Sequence, residues 1–405
     1  MCQSGNLREF ADFGLMPLAG DFQPCHAISE CKVYPLKMAV CLDCSLVQVL
    51  NVVPMEVLFS DYRYLSSITH TLIKHFADYA EYLKSHLLSG ENPLVVEFGC
   101  NDGVLLSPLK GLGVRCVGVD AAPNVVKIAR DRGLEVYEGY FGGSLAQEIV
   151  GAHGLADVIT ASNVFAHTDD LEEIMKGVDL LLGDDGVFIV EVHYVVGLIS
   201  GFQFDSVYHE HLLYYSLTSI SNLFARYGMR SFDVHELRMH GGAIRVFACR
   251  NASHKWPQSD SVTTMLLHER DMGVHTFDYY SGFGKKMAVY RSTLHDLLVS
   301  KKRAGCTISA YGASGRGTIL LNYCGLDSSL IDYVVDESPS RIGRCVPGVD
   351  IPIRDRSYFH AHSTDICLIT AWNYQDEVIA KEQGYIDRGG EFIIPLPDIK
   401  HLRRS

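Results

Sequence analysis

A chain of 405 residues exceeds what one hydrophobic core ordinarily serves, so two or three domains are expected. Its 47% hydrophobic and 20% charged residues are ordinary for a soluble globular protein, and the net charge of −13 leaves a nucleic-acid partner no electrostatic footprint. The apolar runs fall short of a bilayer span and the start carries no charged-then-apolar leader, so no membrane partner and a cytoplasmic location are expected. In that setting the 12 cysteines read as reduced thiols or metal ligands rather than a disulfide framework. No coiled-coil repeat is visible, which leaves a monomer as the default.

Residues 1–70 carry five cysteines, little periodicity and short β-like pieces such as 34–40. Cys41-Leu-Asp-Cys44 is a complete C-x-x-C, the spacing of half a zinc knuckle. Cys2 is the first candidate for a further ligand, with Cys25, His26 and Cys31 in reserve; thiols packed as small apolar side chains are the alternative. Residues 71–90 place Leu72, Phe76, Tyr79, Leu83 and Leu87 on one stripe, which predicts an amphipathic helix.

The next stretch is the most informative. Residues 94–96 form an apolar run that reads as a buried strand, ending in the turn Glu97-x-Gly99-x-Asn101-Asp102-Gly103. A second strand at 115–119 closes on Asp120. This opens a doubly wound, nucleoside-binding sheet: glycines let backbone approach the ligand, and the carboxylate accepts both ribose hydroxyls. The spacing is not G-x-G-x-x-G. It resembles motif I of class I S-adenosylmethionine (SAM) methyltransferases, which implies SAM against Glu97, Gly99, Asn101, Gly103 and Asp120. Tyr140 and Phe141, after a third strand, and Asn163, closing the strand 157–163, extend that rim. A further strand is predicted over 186–192.

Residues 204–216 bring Tyr208, His209, Glu210 and His211 together about a dozen residues past that strand, near the carboxyl rim of the sheet. A carboxylate beside a histidine can fix its tautomer and raise its basicity, as a general base needs. His209-x-His211 is also a possible metal pair, and isolated histidines are as often structural. His167, just past another strand end, can reach the same pocket; Tyr62 and Tyr64 are as readily packing residues as site residues. Residues 260–303 predict one or two long helices, a connector. A second α/β pattern starts at Ser309, with the turn Tyr311-Gly312-Ala-Ser-Gly-Arg316-Gly-Thr and strands near 332–336, 366–370 and 391–395. The expected domains are a cysteine module (1–70), a SAM domain (71–250), a helical connector (251–303) and a Rossmann-like domain (304–405).

Four stretches in order resemble the three-domain sugar C-methyltransferases that act on nucleotide-linked 4-keto-deoxysugars, the group making tetronitrose and mycarose. They are residues 34–48, the turn at 96–103, Asp205-x-x-Tyr208-x-Glu210-His211, and residues 311–318 with Ala371-Trp-Asn373-Tyr. The resemblance implies a class I methyltransferase sheet flanked by an amino-terminal zinc module on Cys2, Cys41 and Cys44 and a carboxyl-terminal Rossmann-like domain. That last domain would hold the nucleotide-linked keto-deoxysugar through Tyr311, Gly312, Arg316 and Asn373. It further implies His211 as the base removing the proton beside the ketone, Glu210 orienting it or sharing the proton, and Tyr208, Tyr64 and His167 steadying the enolate.

Three departures stand out. The upstream C-x-x-C of the zinc module is represented only by Cys2, with Cys25, Cys31 or His26 as possible substitutes for its second ligand. Gly139 occupies the position that often carries an adenine-facing aspartate, and Arg316 replaces a common lysine, a change that suits a diphosphate. The rival expectations are a SAM-dependent O- or N-methyltransferase, an NAD- or metal-dependent sugar-nucleotide protein using residues 309–325, and a non-catalytic scaffold.

Overall fold

The computed structural model describes residues 1–25, 31–54, 57–58, 67, 70–237 and 241–404. Seven strands build the central sheet: β1 (Leu94–Phe98), β2 (Arg115–Asp120), β3 (Val136–Glu138), β4 (Ala156–Ser162), β5 (Leu182–His193), β6 (Met229–Leu237) and β7 (Ala243–Arg250). Their spatial order is β6-β7-β5-β4-β1-β2-β3, with β7 antiparallel to both neighbours and the other pairs parallel. All five residues of β1 are buried, as a continuous apolar run covered on both faces requires. Strand order reverses between β1 and β4, and the crevice at such a switch point is where open α/β sheets hold ligands.

The predicted amphipathic helix spans His70–Tyr82 and continues as a π turn, Leu83–Leu87. Its stripe of Leu72, Phe76, Tyr79, Leu83 and Leu87 is buried against Val95, Val158, Val187 and Phe247 of the sheet. Burial of that stripe, rather than helix propensity, holds the helix in place.

A four-stranded antiparallel sheet joins Leu7–Pro17, Val33–Cys41 and Val47–Val49 to Leu213–Tyr214, the last supplied from beyond β5. An eight-stranded sheet holds the last quarter of the chain. Its five parallel strands, in spatial order, are Glu391–Ile394, Ile366–Ile369, Ile308–Tyr311, Tyr333–Val335 and Ile351–Arg354. At one edge Arg344–Val346 pairs with the short strand Gln23–Pro24. The expectation of thiols alone therefore gives way at one point. Cys25 and Cys345, brought together by that strand pair, form a disulfide across 320 residues.

Two helices, Asp260–Asp271 and Phe277–Arg303, connect the sheets. The second buries Tyr280, Phe283, Met287, Tyr290, Leu294 and Leu298 at helical spacing. At Gly284 it lies so close to strand Leu7–Pro17 that a Cβ would stand 2.4 Å from the Phe10 carbonyl oxygen. Among the described residues no helix is long and apolar enough to cross a membrane. Tyr62, Tyr64 and His26 lie outside the described residues.

Candidate functional site

The glycine turn leaves β1 with Gly99 (φ +69°), Asn101 (φ +50°) and Gly103 (φ +80°), all left-handed. Backbone strain of this kind persists where surrounding structure over-determines it, and it clusters at ligand clamps. The Gly99 and Cys100 amides donate to the Val119 carbonyl, and the Asn101 and Ala122 amides donate to the two oxygens of Asp120, at 2.8 and 2.9 Å. Asp120 is thus fixed at the end of β2 with lone pairs remaining on both oxygens, as a ribose diol requires. Burial pushes its carboxyl above the usual range. Glu97 is buried, its Oε2 has no hydrogen-bond partner among the described residues, and burial together with Asp120, Asp102 and Glu191 pushes its carboxyl far up. An orphaned buried acceptor beside a backbone cradle fits a ligand that brings donors, such as the amine or ribose of SAM.

Asn163, also left-handed (φ +57°), closes β4 with its amide on the Glu191 carbonyl. Tyr140 is exposed beyond β3. Phe141, expected at the donor site, stacks its ring on Phe98, 4.5 Å between centroids and 2° between planes, within the core beside the sheet.

A network that sequence reasoning missed lies beneath this rim. Arg245 donates twice to Glu191 (3.0 and 2.6 Å), His75 Nε2 lies 3.0 Å from the same carboxylate, and the guanidinium sits over the Tyr79 ring at 3.5 Å. Tyr79 in turn bonds Thr160. Although burial works against it, His75 and Arg245 together hold the Glu191 carboxyl down at about 2. The network ties helix His70–Tyr82 to the strands flanking the donor crevice. The signal was a charged residue inside each of two apolar strands, Val-Glu191-Val and Ile-Arg245-Val.

The histidine segment meets the loop after β4. The amides of Leu212 and Leu213 both donate to the Ala166 carbonyl, which places His167 beside His211 with ring centroids 5.0 Å apart. His167 Nδ1 donates to the Glu210 carbonyl. Burial holds His167 below the ordinary histidine value, against the carbonyls of Glu210 and Asn163 that favour its charged form. The Tyr208 hydroxyl lies 3.1 Å from His211 Nε2. The Glu210 side chain turns toward the Gly20 backbone, and burial raises it to about 7. His209 belongs to no metal-ligating cluster among the described residues; fully buried, it places Nε2 3.2 Å from the Pro35 carbonyl and its ring edge on Tyr34.

The cysteine module braces this segment. The Val49 amide donates to the Leu212 carbonyl, and Leu213 and Tyr214 pair with Gln48 and Val47. Cys2, Cys41 and Cys44 converge with their sulfurs within 4.8 Å of one another, Cys2 and Cys41 at 3.5 Å. Thiolates about 2.3 Å from a tetrahedral zinc stand about 3.8 Å apart, so these three fit three corners of a structural site. Among the described residues no fourth His, Cys, Asp or Glu joins them. Cys25 is excluded by its disulfide, and Cys31 lies apart.

In the carboxyl-terminal sheet, Gly312 (φ +107°) lies so near the turn at 371–374 that a Cβ would meet Ala371 Cβ at 2.4 Å; Asn373 sits on that turn. Tyr311, expected to hold the acceptor, points its side chain into the core beside Phe359, and its hydroxyl bonds Glu382 at 3.2 Å. Arg316, expected at a diphosphate, donates Nε and one Nη to the fully buried Asp205, at 2.9 and 2.8 Å. Trp372 Nε1 donates to the same carboxylate at 2.7 Å.

Three family models match: a "Putative zinc binding domain" over residues 1–59, a "Methyltransferase domain" over 70–234 and a "C-methyltransferase C-terminal domain" over 238–397. The C-methyltransferase NovU of Streptomyces niveus is 36% identical over 400 residues, covering 98% of this chain and 95% of the relative. A ubiquinone biosynthesis O-methyltransferase of Azorhizobium caulinodans is 30% identical over 128 residues, 31% of this chain and 49% of the relative. Among solved structures, magnesium protoporphyrin IX methyltransferase of Synechocystis superposes with a TM-score of 0.35 at 16% identity, covering 45% of this chain and 89% of that one.

Proposed function

The chain belongs to the SAM-dependent C-methyltransferase family, and from that premise we propose that its acceptor is a nucleotide-linked 4-keto-deoxysugar, methylated on the carbon beside the ketone. The observation that carries this reading is the Tyr208–His211–His167 cluster at the carboxyl rim of the methyltransferase sheet. Methylation of oxygen or nitrogen can proceed with proximity and a weak base. A sugar carbon cannot, because it becomes a nucleophile only after losing a proton.

The turn Gly99–Gly103 and Asp120 would hold SAM, which would supply an electrophilic methyl group when bound. Nε2 of His211 accepts the proton from the carbon beside the ketone as the Tyr208 hydroxyl turns its hydrogen onto the developing enolate oxygen. His167, its Nδ1 hydrogen committed to the Glu210 carbonyl, is proposed to help steady the enolate by holding the His211 ring in place. The electron pair of the broken C–H bond becomes the enolate, and its carbon would take the methyl group as the sulfonium's S–CH3 bond breaks, that bond's electron pair staying on the sulfur of the departing S-adenosylhomocysteine. Glu210, next to His211 in the chain, is proposed to orient that base or share its proton, which leaves to solvent after methyl transfer. Tyr64 is proposed alongside Tyr208 as a further enolate partner, and Gly312 and Asn373 as part of the acceptor's nucleotide rim.

The test is mass spectrometry in heavy water on a panel of nucleotide-linked 4-keto-deoxysugars, with and without SAM. The reading predicts exchange of one carbon-bound proton without SAM, and a methyl mass gain when SAM is added. Methyl transfer without loss of that proton would replace it with an oxygen or nitrogen acceptor.

A further inference from the structure

We propose that Arg316 is a positioning residue, which acts through Asp205 to set the Tyr208–His211 pair, rather than a ligand of the acceptor's phosphates. The proposal rests on the C-methylation reading above for the reaction in which that pair works.

Asp205 opens the segment that ends in Tyr208, Glu210 and His211, and it is fully buried. A buried carboxylate with no partner is costly, and this one is fully compensated from a single direction. Arg316 engages both its oxygens in a fork, and Trp372 adds a third donor. The guanidinium also lies over the Trp372 ring, 4.7 Å from its centroid, which closes the three side chains on one another. Planar, bidentate recognition of this kind fixes orientation as well as charge, and lysine cannot reproduce it.

Both partners of Asp205 come from the carboxyl-terminal sheet. Arg316 is the second residue of helix Gly315–Tyr323, whose N-cap Ser314 accepts from the Gly317 amide at the glycine turn. Trp372 lies on the adjacent turn, whose Ala371 amide donates to the Tyr311 carbonyl. From the opposite side His209 is fixed on Pro35, and Leu212 on Val49 and Ala166. The segment 205–212 is therefore suspended between two anchors. Asp205 is the one that faces the sheet proposed to receive the acceptor's nucleotide. Two of Arg316's three guanidinium nitrogens are committed to Asp205, and its side chain is 14% exposed, which leaves little surface for a diphosphate.

The full-length protein with SAM is compared with Arg316→Lys, Asp205→Asn, the double variant and the milder Trp372→Phe. SAM affinity and circular dichroism verify each fold. The expected result is a kcat loss of about tenfold or more in each of Arg316→Lys and Asp205→Asn, with acceptor KM within about threefold. The double variant should be no worse than the poorer single, the mark of two residues acting as one unit. Trp372→Phe should show a smaller loss in the same parameter and decides the matter if Asp205→Asn does not fold. An acceptor KM raised about tenfold by Arg316→Lys at unchanged kcat, with Asp205→Asn silent, would overturn the proposal and return Arg316 to the phosphates.

A second readout does not depend on the acceptor. The titration midpoint of the His211 ring, followed by NMR, should move in the same direction in Arg316→Lys and Asp205→Asn, and an unmoved midpoint in both would also overturn the proposal. If wild-type protein exchanges no proton in any keto sugar, the substrate reading falls while this titration still decides the role of Arg316.

Discussion

The Tyr208 hydroxyl lies 3.1 Å from Nε2 of His211, and the two rings pack with centroids 4.1 Å apart. The pairing is local in origin. The His211 amide donates to the Tyr208 carbonyl, a turn that brings side chains three residues apart onto one side. Tyr208→Phe keeps the ring and deletes the hydroxyl. Its kcat is expected to fall by about 100-fold with SAM affinity unchanged, measured by steady-state kinetics and calorimetry. A variant with full kcat would remove Tyr208 from the enolate's environment.

Gly99 makes a sharper prediction about the donor. Its backbone is left-handed, and a Cβ at this position would stand 2.1 Å from Val164 Cγ2, so there is no room for a side chain. Gly99→Ala should raise the SAM dissociation constant by at least about tenfold, since shifting the loop after β4 disturbs the crevice. Calorimetric titration with SAM checks it, and wild-type affinity would mean that the turn does not hold the donor.

Glu210 links the site to pH. Its carboxyl titrates near 7 in the folded chain against an ordinary value of 4.5, because burial disfavours the charge. A raised folded value means that its stabilisation is complete below 4.5 and is lost as pH rises toward 7. Glu210→Gln removes that dependence. Relative to wild type, it should gain about 2–3 kcal/mol of stability between pH 5 and pH 8, read from urea unfolding at the two pH values. A constant difference would place the titration elsewhere.

Zinc should matter to the methyl-transfer centre as well as to its own module. The Cys41 amide donates to the Leu46 carbonyl, and Val40 pairs with Val47, one strand away from Leu213. Cys41→Ser, or chelation, is expected to release the metal, lower the melting temperature by at least a few degrees and speed amide exchange across 205–214. Metal analysis and hydrogen exchange check this together. Faster exchange confined to the first 50 residues would separate the module from the site.

Much of this site could be read from local pattern. The run 94–96, the glycines and Asp120 predicted β1, its turn and β2, and the stripe from Leu72 to Leu87 lies buried as its spacing required. Convergence across long separations could not be read that way. Asp205 and Arg316 are 111 residues apart, Cys25 and Cys345 are 320 apart, and Leu213–Tyr214 completes a sheet begun near residue 7. Phe141 and Tyr311 show the complementary limit. Each is expected at a ligand rim from its place at or after a strand end, and its aromatic ring packs on core partners, Phe98 for one and Phe359 for the other. Position along a strand says which residues reach the rim, and packing partners decide which way they turn.

The central claim is that His211 makes the acceptor carbon nucleophilic. It is tested most directly by deuterium wash-in, without SAM, in wild type and His211→Ala. The account predicts rapid exchange of one carbon-bound proton in wild type and a loss of about 100-fold or more in the variant, with SAM still bound at wild-type affinity. Undiminished exchange in His211→Ala would contradict it and hand the proton to another group.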